Sequence, residues 1–450
     1  MMKMIVVGGG AAGMMCAIKA SDRYDVTLIE KNEKLGKKLF ITGKGRCNLT
    51  NNTDEEEFLR NVVSNYKFLY SSIYSYNQSM VMEDFEKWGL RLKTERGNRV
   101  FPESDHSSDV LKTLQQELTR RRVKVMLNTA VTGLVLDEIE DGEAGSGKVK
   151  CVTGVRIGSK TLPADVVVLA TGGLSYPQTG SDGDGLRFLE KLRGEDSQIK
   201  ITDVSPALCP IVIREPFCKE MMGLSLRNVK ARAEYIPDEI TKKNKKKLLY
   251  EEQGEMLFTH FGVTGPLMLS ASSYIARFIR DLRGKDTKER VNDVNAFFRE
   301  IGGKIIITVD MKPALTVEEL NKRVIRDFDA FKNRELRNSL GELLPRLMIP
   351  VIIERSKIKP DKKVNAITQE ERMRLVNLLK EFTMEVVGMR GFSEAIITSG
   401  GIDVKSIDAG TMEIKGVKGL RAAGEIIDVD ALTGGFNLQI AWSTACLAAN

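Results

Sequence analysis

The feature that most constrains this chain is a glycine turn near its start, Gly8-Gly9-Gly10-Ala11-Ala12-Gly13, placed directly after the apolar run Met4-Ile5-Val6-Val7. Residues 14–20 read as a helix, and Asp25-Val26-Thr27-Leu28-Ile29 as a second strand that ends at Glu30. Strand, glycine turn, helix, strand and acid, in that order, make a dinucleotide-binding unit. Gly8 allows the tight turn, Gly10 leaves room for backbone to approach a pyrophosphate, and Gly13 lets the helix pack close to the strand. The first helical N–H groups, from Ala11 and Ala12 onward, and the helix dipole then face the phosphates. Glu30 is an acceptor for ribose hydroxyls and, as an anion, repels a 2′-phosphate. That favours FAD or NAD(H) over NADP(H) at this site. A glycine triplet alone is a weak signal; here the strand before it, the helix after it and the acid at the right distance agree.

At 450 residues the chain is too long for one ordinary core, so two or three domains are expected. A hydrophobic content of 42% with 29% charged residues suits a soluble globular protein. The net charge of +7 is mild for this length and does not demand nucleic acid. Part of it is local: residues 242–247 contain five lysines, read as a solvated turn between strands rather than a nucleic-acid or membrane patch. Six scattered cysteines without a CxxC pair point to neither a zinc site nor a disulfide framework, and to a reducing cytoplasm. The start of the chain runs straight into a strand, so no signal peptide is expected, and the longest apolar runs are too short to span a bilayer. With only two histidines, His106 and His260, histidine-rich metal chemistry is excluded and no metal is expected.

Further along, residues 31–38 form a basic loop, and Ile41-Thr42-Gly43-Lys44-Gly45-Arg46-Cys47-Asn48 a second glycine-rich loop with cations. Residues 55–90 and 110–121 read as helical. Strands are expected at 123–127, then a meander of 131–136, 149–157 and 161–170, with 142–147 as its hairpin loop. The last of these runs into Ala170-Thr171-Gly172, a turn where backbone can meet a ligand. Character changes near residue 195. Short strands at 207–213, 229–236, 247–250, 255–259 and 304–309, with one helix at 266–280, suggest a small barrel or sandwich. Residues 318–326, 334–340, 343–349 and 370–382 read as four helices punctuated by prolines. Strand character returns at 384–387, and glycine-rich α/β chemistry from 393 onward, including Thr398-Ser399-Gly400-Gly401. The fold class is therefore α/β: a Rossmann-like nucleotide-binding domain built from both chain ends (1–195 and 393–450), an inserted β-barrel domain (196–312 with a return strand at 382–392), and a helical insert (313–381).

The C-terminal segment is the second strong signal. Gly424-Glu425-Ile426-Ile427-Asp428 ends a short strand in a turn with carboxylates, and Gly434-Gly435-Phe436-Asn437-Leu438 opens a final helix. Backbone N–H groups of such a turn suit the pyrimidine end of a flavin, where negative charge develops on reduction. Asp428 or Glu425 suits the ribityl hydroxyls; the alternative is a strand–loop–helix with solvated acids.

Four segments carry a resemblance to a known family: GGGAAG at 8–13, TGKGRCNLTN at 42–51, GEMLFTHFGVTGP at 254–266 and GEIIDVDALTGGFNLQIAWSTA at 424–445. Together they make the chain similar to the HI0933-like (YhiN/BaiN-type) flavoproteins along its whole length. The resemblance implies an FAD-binding domain with barrel and helical inserts. It also implies FAD contacts from Glu30, the Lys37-Lys38 region with Lys31, Arg46-Cys47-Asn48 with Gly43 and Gly45, Ala130-Val131, and the C-terminal loop. One branch of the group is assigned the reduction of double bonds in 3-oxo steroid intermediates of bile-acid dehydroxylation. The second loop often reads GGGRCN in the family; Lys44 here puts one more cation near the phosphates.

Arg46 beside backbone N–H groups suits a bidentate pyrophosphate contact. Cys47 reads as a buried structural cysteine rather than a redox thiol. His260 is either a proton donor near the flavin or a packing histidine, and Tyr176, before Pro177, is the other candidate acid. The expected function is an FAD-dependent oxidoreductase that takes hydride from NAD(P)H and reduces an electron-poor alkene, a steroid-like enone among the candidates. No second dinucleotide unit is visible for a dedicated nicotinamide domain. The alternatives are an FAD-containing RNA-binding or RNA-modifying protein, against which no aromatic-rich nucleic-acid module is recognisable, and a non-catalytic flavin redox sensor.

Overall fold

The computed structural model describes residues 1–140, 148–193, 198–241, 245–283, 298 and 301–450. The chain divides into two compact units, Met1–Pro206 with Phe392–Asn450, and Ala207–Gly391.

The first unit is built on a five-stranded parallel sheet in the order Leu420–Ala422, Val166–Leu169, Met2–Val7, Tyr24–Ile29, Lys124–Met126. Met4 to Val7 and Val166 to Leu169 are buried without alternation, as strands covered on both faces must be. The register levels their ends. Val7 lies between Leu169 and Ile29, and Leu169 lies beside Ala422. The segments that leave at 8, 30, 170 and 423 therefore all emerge from one edge, the carboxyl edge where open parallel sheets bind ligands. The helix Ala11–Ala20 is buried along nearly its whole length, with the C-terminal helix Phe436–Ala448 packed on it, and both helices are rich in small residues. The C-terminal helix is itself buried all round and carries its polar side chains inward. Trp442 Nε1 donates to Leu49 O at 2.9 Å, Thr50 Oγ1 to Gln439 Oε1 at 2.5 Å, and Gln439 Nε2 to Tyr76 O at 3.1 Å. The meander Gly133–Glu140, Lys148–Ile157 and Lys160–Pro163 is antiparallel; its hairpin loop at 142–147 lies outside the described residues.

The second unit contains a closed six-stranded antiparallel barrel: Ile211–Ile213, Gly262–Thr264, Lys247–Thr259, Ser225–Pro237, Gly303–Asp310 and Phe382–Met389, the last pairing with the first. The helix Pro266–Arg283 packs on it, with Phe278 against Tyr235 at 4.9 Å between ring centroids. The helices of the 313–381 stretch belong to this same unit.

Several elements differ from their sequence reading for identifiable reasons. The two short strands expected at 247–250 and 255–259 are one strand, because the exposed stretch 251–253 is held by pairing to 230–232 rather than by apolar alternation. The strand expected at 207–213 is two pieces, Ile201–Ala207 and Ile211–Ile213, broken at Leu208 (φ +49°) and Pro210. The helices expected at 334–340 and 343–349 are single 3₁₀ turns, Leu336–Asn338 and Arg346–Met348. The true helix there is Ile349–Ser356, which Pro350 opens from its first turn, a position where the missing N–H costs nothing. The stretch 55–90 is a series of short helices. Thr398-Ser399-Gly400-Gly401, given no element in the sequence reading, is part of the strand Ile397–Ile402, which pairs with Ile201–Ala207. A Cβ on Gly400 would lie 2.2 Å from Asp203 O, so the close pairing needs a glycine there. Of the lysine run, residues 242–244 lie outside the described residues, and Lys247 begins a barrel strand.

Candidate cofactor cleft

Above the carboxyl edge of the parallel sheet lies a cleft of about 1380 Å³, counted to its open mouth. Both chain ends line it: Gly8 to Ala12 from the first turn, Glu30 to Asn32, Lys37 to Leu39, then Ala170 to Gly172, Thr398, Glu425, Asn437 and Leu438.

The glycines of the first turn divide by role. Gly8 has φ +106°, and a Cβ there would lie 2.5 Å from Ala170 O. A Cβ on Gly13 would lie 1.8 Å from Gly8 O, so this glycine sets the helix against the strand and does not line the cleft. A Cβ on Gly10 would meet no protein atom within 4 Å, leaving the backbone open where it borders the cleft. Glu30 is 8% exposed and ties the turn to the second strand: Oε2 accepts from Gly9 N at 2.7 Å, while Oε1 accepts from Asn32 N at 2.8 Å and Asn32 Nδ2 at 2.7 Å. Asn32 also donates to Thr179 O at 3.1 Å. Lys31 Nζ lies 2.7 Å from Asp182 Oδ1 and 2.6 Å from Asp184 Oδ2. Burial works against the Asp184 charge, but Lys31 and then Arg187 hold its carboxyl below the usual value; Lys31 is raised by the two acids despite its own burial.

Farther along the cleft Lys38 Nζ donates to Glu425 Oε2 at 2.6 Å and to Ser175 Oγ at 2.5 Å. Glu425 Oε1 accepts from Ser175 Oγ at 2.5 Å and from Thr398 N at 2.8 Å. Thr398 Oγ1 in turn accepts from the N–H groups of Leu174 and Ser175. This network joins three distant parts of the chain at one wall. Thr171 lines the cleft with its Oγ1 buried and without a hydrogen-bond partner. Asn437 caps the loop before the C-terminal helix: its Nδ2 donates to Ala431 O at 2.8 Å, and its Oδ1 accepts from Ala431 N at 3.0 Å.

Of the residues singled out in the sequence, Gly8, Gly10, Ala11, Ala12, Glu30, Lys31, Lys37, Lys38, Val131, Ala170, Thr171, Gly172, Glu425, Asn437 and Leu438 line the cleft. Gly13, Ala130, Gly424, Asp428, Gly434 and Gly435 do not; Gly435, at φ +99°, is instead packed so closely that a Cβ would lie 2.3 Å from Thr50 O. The second glycine loop stands apart as well. Gly43, Gly45, Arg46, Cys47 and Asn48 are not lining residues, and only Thr42 of that loop reaches the cleft. Arg46 is held elsewhere by two carboxylates, with Nη2 2.5 Å from Glu95 Oε1, Nε 2.9 Å from Asp105 Oδ1, and the guanidinium 4.1 Å above the Phe101 ring. Cys47 is fully buried, and burial pushes its thiol up to about 12, the behaviour of an inert cysteine. Tyr176 is a half-buried residue at φ +52° outside the cleft lining, and its N–H donates to Phe392 O at 2.8 Å. His260 belongs to the second unit, exposed at the turn between two barrel strands and edge-on to Phe261.

Sequence reading missed Asn32, Ser175, Asp184 and Thr398. Asn32 was findable as the amide two residues after the acid; the others become neighbours only through long-range pairing. Among the described residues no group of three or more His, Cys, Asp or Glu side chains is placed to hold a metal ion, and no helix is long and apolar enough to cross a membrane.

Residues 2–450 match the family model described as the HI0933-like protein Rossmann domain. The chain is 29% identical to the 3-dehydro-bile acid delta(4,6)-reductase of Clostridium scindens, over 98% of this chain and 97% of that one. It is 26% identical to the ribosomal RNA dihydrouridine synthase of Escherichia coli, over 98% and 95% of the two chains. To the protein of that name from Haemophilus influenzae it is also 26% identical, over 98% and 96%.

Proposed function

Because the chain belongs to the HI0933-like family, we propose that it is an oxidoreductase that holds FAD in this cleft and reduces a carbon–carbon double bond conjugated to a carbonyl, with NAD(P)H as electron donor. The observation that carries the reading is the single groove lined from both chain ends, with the open backbone of Gly10 on one wall and the first turn of the C-terminal helix on another. The buried, unpartnered Thr171 Oγ1 in its lining fits a polar ligand that satisfies it. Bound FAD, once reduced, supplies the hydride for such a step.

The chain's own residues divide the remaining work. N–H groups at the start of the helix Ala11–Ala20 hold the pyrophosphate, and Glu30, its lone pairs only partly used, accepts from the adenosine ribose. Asn437 and Leu438 present the N-terminus of the last helix to the electron-accepting end, where its dipole favours negative charge. The Lys38–Ser175–Glu425 network fixes a cation and a hydroxyl at the cleft wall, where they would hydrogen-bond a polar part of the cofactor. The carbon next to the carbonyl takes a proton from water or from an acid of the protein; Tyr176 and His260, the candidates from the sequence, are not among the residues that line the cleft.

The names of the relatives support one reaction class with two substrates. A 3-oxo Δ4,6 steroid and a uracil ring both carry an alkene conjugated to a carbonyl, so hydride at the far carbon and a proton at the near one complete either reduction. The steroid reading rests on the bile-acid reductase, the RNA reading on the two dihydrouridine synthases. Anaerobic stopped-flow separates them. The protein is purified, its flavin identified after denaturation and reduced with NADH or NADPH, and then mixed with a 3-oxo-Δ4,6 steroid or a uridine-containing RNA. Rapid reoxidation by one of these assigns the substrate class. A colourless protein that cannot be reconstituted with FAD rejects the cofactor, and a flavin that no donor–acceptor pair turns over leaves a redox sensor.

A further inference from the structure

A stripe of three tyrosines on the first unit has no part in the cleft. Tyr66, Tyr70 and Tyr74 follow one another at intervals of four along the turn Tyr66–Leu69 and the helix Tyr70–Ser75, and are 42%, 46% and 54% exposed. Their rings form a continuous surface: Tyr66 meets Tyr70 edge-on at 6.4 Å, and Tyr70 stacks on Tyr74 at 6.0 Å with 15° between planes. The opposite face of the same segment, Phe68, Leu69, Ile73 and Tyr76, is buried, so the exposed rings are not surplus core. Exposed aromatics grouped in this way mark an interaction site more often than a bare surface.

The charge around the stripe selects the partner. The helix Glu55–Arg60 opens with three consecutive glutamates behind Asp54, and Asn77 Nδ2 donates to Glu55 Oε1 at 2.7 Å, which pins that acidic turn beside the end of the stripe. Partial desolvation and then the carboxylates of Glu56, Glu55 and Asp54 hold the Tyr74 phenol above its usual value. Of the cations in this stretch, Arg60 is engaged by Glu57 at 3.1 Å and Glu56 at 4.0 Å, and Lys67, next to Tyr66 in sequence, is exposed. The carboxylates outnumber the cations, and the ring faces attract guanidinium and ammonium groups. A phosphate backbone meets like charge here, although the chain as a whole carries +7.

We propose that the Tyr66–Tyr70–Tyr74 face, rimmed by Asp54, Glu55 and Glu56, docks an arginine- or lysine-rich segment of a partner protein. The segment that carries the face is hydrogen-bonded at both ends to elements that border the cleft. Just before the stripe, Val63 N donates to Asp430 O at 2.8 Å and Asn65 Nδ2 to Asp428 O at 2.6 Å; just after it, Tyr76 O accepts from Ser443 Oγ at 2.6 Å. Val429, between those two acids, lines the cleft. The proposal stands independently of the reading of the cleft.

Titration of the full-length protein with a labelled oligo-arginine peptide, followed by fluorescence anisotropy, tests it. Binding is expected to weaken as salt rises, to fall about tenfold in Tyr70→Ala/Tyr74→Ala, and to survive in Tyr70→Phe/Tyr74→Phe, which keeps the rings. Glu56→Lys, on a side chain 79% exposed, gives the same loss without touching the packed face. Unchanged peptide binding in both the double alanine variant and Glu56→Lys overturns the proposal. So does an oligouridine that binds the protein and is released by Tyr70→Ala/Tyr74→Ala, which makes this a nucleic-acid face. A concentration-dependent dimer in sedimentation that Tyr70→Ala dissolves also overturns it, since the occupant is then a second copy.

Discussion

Two glycines three residues apart separate folding from ligand binding. A side chain at Gly13 meets backbone 1.8 Å away, whereas one at Gly10 meets no protein atom within 4 Å. Gly13→Val is therefore expected to unfold or strongly destabilise the first unit, and Gly10→Val to leave the melting temperature within a few degrees while cutting FAD retention by an order of magnitude or more. Thermal melts beside flavin-fluorescence titrations separate the two, and a Gly10→Val protein that retains FAD normally removes the assignment of the cleft. Arg46 makes the opposite case. Expected from the sequence to meet a phosphate, it is ion-paired here with Glu95 and Asp105. Arg46 holds the Glu95 carboxyl below its usual value; Lys93 first and Arg46 second do the same for Asp105. Carboxyls lowered by folding stabilise the native state above their unfolded values and lose that contribution as pH falls through the folded ones. Asp105→Asn is expected to lower stability at neutral pH, with the gap to the parent chain closing as pH falls through and below the usual carboxylate range. Urea melts across that range check it, and a gap that does not change with pH refutes it.

At the scale of elements, the C-terminal helix does the work of a second layer. Trp442 is fully buried, and its one N–H goes to Leu49 O, fastening the strand that follows the second glycine loop. Trp442→Phe strands that carbonyl and leaves a gap, for an expected loss of about 1–3 kcal/mol from the hydrogen bond before any cavity cost. A lower urea midpoint with an unchanged slope is the sign of it. Elements with a local signature were legible: the glycine turn with Glu30, the final helix, and the barrel strands whose apolar residues alternate. Elements defined by a remote partner were not. The pairing of Ile397–Ile402 was not legible because its partner strand lies some two hundred positions earlier, and the ion pairs of Arg46 were not because Glu95, on a separate small sheet, and Asp105, in the loop after it, are about fifty and sixty residues away.

For the whole molecule, the sequence pattern reached the essential division, a nucleotide-binding fold made from both ends and interrupted by a barrel. What it could not supply was the side-chain register within the cleft. The Lys38–Ser175–Glu425 contact depends on three turns arriving at one sheet edge, and no periodicity within any of them carries that information. The edge strand Leu420–Ala422 and the helix Phe436–Ala448 are also made only after the entire Ala207–Gly391 unit has been synthesised. A ribosome thus extrudes the glycine turn early and the opposite wall late, and domains tend to fold in the order they emerge. Nascent chains halted before residue 420 are expected to remain colourless in excess flavin, while released full-length chains take it up. Coenzyme loading is then a checkpoint that only a finished polypeptide can pass.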